Sequence, residues 1–81
     1  MKGMVNMKNI YRMLVNEDRV ICLNINSEND YASFVVNDTF VEVQPHGDLF
    51  YMVTLADDNT GDEYAVRVMT ADMIHNLIRK L

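Results

Sequence analysis

Cys22, His46 and His75 are the side chains of this sequence best suited to act as a nucleophile, a base or a soft metal ligand. A cysteine attacks as its thiolate, which forms beside a base or in positive surroundings. Cys22 has neither His nor Lys close in sequence, so a semi-buried structural thiol is the expected role. His46 and His75 are far apart and belong to no His/Cys cluster, whereas zinc ligands usually come in closely spaced pairs. A turn histidine and a helix-surface histidine are expected instead.

Asp57-Asp58-Asn59-Thr60-Gly61-Asp62-Glu63 is the one local run rich enough in oxygens for a hard cation. Counted from Asp57 as first ligand, Gly61 falls one place early for a calcium loop. The closing position is Val68 rather than Glu. A solvated hairpin loop is therefore expected. Paired carboxylates can do acid–base work, but every acid except Glu42 falls near a turn or a chain end, with no pocket to tune it. The three glycines are scattered and make no phosphate loop. Neither an enzyme, a cofactor nor a metal site is expected.

Charge is distributed unevenly. Between Val20 and Val66 there is no Lys or Arg, while Glu28, Asp30, Asp38, Glu42, Asp48, Asp57, Asp58, Asp62 and Glu63 lie within it. The middle carries −9 and each end +2, within a net charge of −5. Affinity for nucleic-acid phosphates comes mainly from Lys and Arg, so direct binding to DNA or RNA is not expected. A basic protein partner, or simple solubility, suits this balance better.

The elements that position these groups follow from periodicity. Eighty-one residues with 49% apolar content predict a single small domain, 1–81, with one core. One cysteine precludes an internal disulfide; the N-terminal stretch lacks the apolar run of a signal peptide, and no segment is long and apolar enough to span a membrane. A soluble cytoplasmic protein is expected. Met7, Ile10, Tyr11 and Leu14 recur at helical spacing, with Met4 extending the stripe, although Ile10 to Val15 could alternatively pair as a strand. Ile21, Leu23 and Ile25 then alternate as one face of a strand, closed by a turn at Asn26 to Asp30.

Tyr31 to Val36 and Thr39 to Gln44 flank Asn37-Asp38 as a hairpin with a two-residue loop. Pairing across it sets Val36 opposite Thr39, Phe34 opposite Val41 and Ala32 opposite Val43, one apolar face. Pro45-His46-Gly47-Asp48 reads as a turn. Leu49 to Ala56 and Glu63 to Met69 form a second hairpin, whose four-residue loop pairs Leu55 with Tyr64, Val53 with Val66 and Tyr51 with Val68. A C-terminal helix starts at the cap Thr70, and Met73, Ile74, Leu77, Ile78 and Leu81 form its apolar stripe. The predicted fold is α+β: a five-stranded antiparallel meander with the C-terminal helix, and an N-terminal helix, on one face.

A meander gathers alternate loops at one end. Glu17, Asp18, Asp38, Asp57, Asp58, Asp62 and Glu63 should thus form an acidic pole. Tyr31, Val35, Phe40, Met52 and Cys22 should share the uncovered sheet face unless the N-terminal segment packs over it. A non-enzymatic protein-binding module is expected, engaging a partner through the acidic pole, the open face or both. Small acidic domains of this kind occur among phage-type accessory proteins that inhibit or redirect a host factor. Alternatives are a homodimer built on the open face and a DNA mimic that inhibits a nucleic-acid-binding protein.

Overall fold

The computed structural model describes residues 6–81. In chain order they form α1 (Met7–Val15), β1 (Ile21–Asn26), β2 (Tyr31–Val36), β3 (Thr39–His46), β4 (Phe50–Asp57), β5 (Glu63–Val68) and α2 (Ala71–Lys80). The strands make one antiparallel sheet in the order β1-β2-β3-β4-β5, the expected α+β meander.

Residues 10–15 are helical, not extended. Asn6 is a poor helix former but a good cap: its side chain accepts from the Lys8 N–H, satisfying one of the free donors of the first turn. Met7, Ile10 and Leu14 turn one buried stripe to the sheet, and Met4 lies outside the described residues. Thr70 caps α2 as expected, accepting from Met73 N–H, while Asp72 at its start and Arg79 and Lys80 at its end match the helix dipole. Ile74 and Ile78 are the buried residues of α2.

Both helices pack on the same side of the sheet, closing a core around Phe34, Val36, Val41, Val43, Val53 and Leu55. Tyr51 ties α1 down, since its hydroxyl accepts from the Asn6 N–H at 2.7 Å and donates to the Asn6 carbonyl at 3.1 Å. Arg19 ties down the other end of the helical layer: its Nη1 donates to the carbonyls of Ile78 and Arg79, the negative end of α2.

The two central hairpins have the expected registers. Asn37 and Asp38 take φ of 46° and 67°, the positive pair that a two-residue hairpin needs to follow strand twist. Leu55, Val53 and Tyr51 lie opposite Tyr64, Val66 and Val68 across the four-residue loop.

Three expectations need correction. Pro45 and His46 do not turn the chain; they extend β3 and pair with Tyr51 and Phe50, so the turn covers residues 47–49 and Leu49 lies outside β4. Pro45 is tolerated there because the β2 ladder reaches only Val43, leaving no partner strand to need its missing N–H. β1 also departs from simple alternation. Its register slips between Ile21 and Asn24, with Cys22 at φ 55°, so Ile21 faces away from the core whereas Leu23 packs against it. For the same reason Cys22 is exposed, not semi-buried.

Candidate functional site

Because opposed residues in an antiparallel sheet share a face, the ladders fix what covers the side away from the helices. One row across the sheet reads Ile21, Val35, Phe40, Ala56 and Glu63. The next reads Asn24, Ser33, Glu42, Thr54 and Ala65, and a third contains Tyr31, Met52 and Arg67. Tyr31, Val35, Phe40 and Met52 therefore lie on one face as expected, and α1 packs on the other. Ile21 is 57% exposed and Phe40 41%, with Val35 half-buried between them.

Sequence reasoning missed Ile21. Its alternation with Leu23 and Ile25 argues for the core, and only the bulge at Cys22 turns it outward. Cys22 itself sits at that bulge, on the edge strand.

Tyr31 and Glu42 order the middle of this face. The Tyr31 hydroxyl donates to Glu42 Oε2, and this bond, with burial adding to it, raises the tyrosine above its ordinary pKa of 10.0. A folded-state pKa above the unfolded one means that the contribution is complete below pH 10.0 and is lost as pH rises through the raised value. Tyr31→Phe should accordingly cost about 1–2 kcal/mol near neutral pH, with the deficit shrinking in strongly alkaline solution, as urea titrations at the two pH values would read. An equal deficit at both would remove the bond from the account.

The acidic residues sort into two groups. The β2–β3 turn and the β4–β5 loop meet directly, the Asp58 N–H donating to the Asp38 carbonyl at 2.9 Å. Asp18, Asp38, Asp58, Asp62 and Glu63 are exposed. Asp57 instead serves its own loop, Oδ1 accepting from the N–H groups of Asn59 and Thr60. Glu17 turns toward the helices, where its Oε2 lies 3.0 Å from His75 Nε2. Two of the seven expected pole residues, Glu17 and Asp57, are thus engaged by other groups of the fold.

Val35, Phe40, Asp38 and Asp58 line a shallow cavity of about 350 Å³ where the apolar row meets the acidic turn. An apolar floor with carboxylates on one rim can take up an apolar side chain together with a neighbouring cation. At the far corner, the Arg67 guanidinium lies over the Phe50 ring, 5.4 Å from its centroid, and Phe50 stacks on His46. Among the described residues no three His, Cys, Asp or Glu side chains converge to hold a metal ion, and no helix is long and apolar enough to cross a membrane.

Set against protein-family models, curated proteins and solved structures, the chain gives no significant match to any of them.

Proposed function

We propose that this chain is a small non-enzymatic binding module that captures a protein partner on its open sheet face, beside the acidic turn. The observation supporting this reading is the Ile21–Val35–Phe40 row, exposed at Ile21 and Phe40, with Asp38 and Asp58 beside Val35 and Phe40. Exposed apolar groups that cross several strands commonly mark an interface. The carboxylates on the rim select a partner segment in which Lys or Arg flanks an apolar side chain, and they speed its approach at low salt. Such a module would act by occupying its target, as an accessory or inhibitory protein does, in a cytoplasm that keeps the exposed Cys22 reduced.

Affinity capture from the source cell's lysate should be run in parallel with the wild type, Phe40→Ser and Asp38→Asn/Asp58→Asn. Asn tolerates the positive φ at position 38, so the charge variant preserves the turn. Phe40→Ser should weaken capture by at least about tenfold at every salt concentration. The charge variant should bind more slowly, with a flatter salt dependence. Equal retention of the same partner by all three proteins would overturn the proposal.

A further inference from the structure

A five-stranded open sheet has two edges, and this chain treats them differently. On β1 the bulge at Cys22 breaks the run of outward backbone groups. Bulges of this kind blunt an edge against pairing with another chain. β5 carries no bulge, proline or lysine, and it pairs with β4 without interruption from Glu63 to Val68.

The hydrogen-bond parity of β5 follows from its loop. The Asp57 N–H donates to the Asp62 carbonyl at 2.9 Å, so this pair is hydrogen-bonded, and such pairs alternate along an antiparallel ladder. Tyr64, Val66 and Val68 therefore direct their backbone groups to β4. Glu63, Ala65 and Arg67 direct their N–H and C=O groups out of the sheet.

Those three residues are complementary to themselves reversed. A second copy related by a two-fold axis at Ala65 would set Ala65 against Ala65, Glu63 against Arg67 and Arg67 against Glu63. Each of these is a pair of outward-facing residues, so the backbone bonds form in register. Other two-fold registers that keep this parity shorten the pairing, and those centred on Glu63 or Arg67 oppose like charges. Neither Glu63 nor Arg67 has an ion-pair partner among the described residues. On the helix side the same register sets Tyr64, which is exposed, against Val66 of the second copy. That contact falls beside a cavity of about 280 Å³ between β5 and α2, lined by Val66, Val68, Met73 and Leu77 among others.

We infer that β5 is the seam of a two-fold homodimer, in which two sheets join edge to edge into one of ten strands. The dimer leaves the Ile21–Val35–Phe40 row of each copy free, so it stands independently of the open-face reading.

Sedimentation velocity across a wide concentration range tests this. The wild type should sediment at twice the 9.4 kDa of one chain and dissociate on dilution. Ala65→Pro removes an N–H that serves the seam but not the β4 ladder, so it should abolish the dimer while the monomer still melts cooperatively. Glu63→Lys and Arg67→Glu should each weaken association about tenfold or more, and together restore it by exchanging the charges. Should Ala65→Pro fail to fold, the two charge variants and their combination decide alone. A monomer at every concentration, a dimer that survives Ala65→Pro in the folded protein, or a charge exchange without rescue would each overturn the seam.

Discussion

Phe34→Ala should reduce the protein to marginal stability, with a urea midpoint lowered by a third or more. Phe34 is fully buried near the centre of β2, opposite Val41, in the core cluster that residues of both helices complete. Truncating a buried phenylalanine costs about 3–5 kcal/mol, because the lost transfer energy is joined by an incompletely collapsed cavity. At about 0.05–0.15 kcal/mol per residue, a chain of 81 residues holds about 4–12 kcal/mol in total. The lone Cys22 is free, so no disulfide among the described residues offsets the loss. Phe40→Ala is the matched control, since its ring lies on the other face, partly in solvent, and should cost about 1 kcal/mol or less. Urea unfolding followed by circular dichroism would compare them. Similar midpoints for the two variants would mean that the faces are assigned wrongly.

The second large effect concerns α1. Nine residues are too few for a helix to persist alone in water, so α1 exists because Met7, Ile10 and Leu14 are buried on the sheet. Ile10→Ala should cost about 2–5 kcal/mol. Its pattern should differ from that of Phe34→Ala: α1 amides should lose hydrogen-exchange protection well before those of β3 and β4, because the helix can detach without breaking a ladder. Uniform loss of protection across helix and sheet would show instead that α1 and the sheet open as one unit.

The hairpin registers were legible in the letters for a physical reason. Asn37-Asp38 can adopt two consecutive positive φ angles, which fixes the loop at two residues. The period-two apolar pattern then leaves one register that buries Phe34, Val41, Val53 and Leu55 together. Ile21 departs from its alternation because a bulge adds one residue without any marked composition; Cys22 carries its positive φ with no glycine to announce it. Pro45 reads as a turn in the sequence, yet a strand tolerates proline wherever its neighbour has run out, and that depends on the relative lengths of β2 and β3. The meeting of the β2–β3 turn with the β4–β5 loop follows from topology, but the direction of each carboxylate does not. Glu17 answers to His75, far along the chain, and Asp57 to its own loop. The complementarity of β5 is not legible in the letters, because it appears only once hydrogen-bond parity is known.

The Tyr51 and Arg19 ties also bear on the order in which the molecule assembles. Each strand pairs with its neighbour in sequence, so the sheet grows through short loop closures, which are entropically cheap and quick. The bond from Asn6 to Tyr51 spans 45 residues, and those from Arg19 to Ile78 and Arg79 span 59 and 60. These long closures reward the chain only once the sheet surface and α2 exist to receive them. The helical layer should therefore form late on the pathway, and removing the Tyr51 hydroxyl or the Arg19 guanidinium should accelerate unfolding far more than it slows folding.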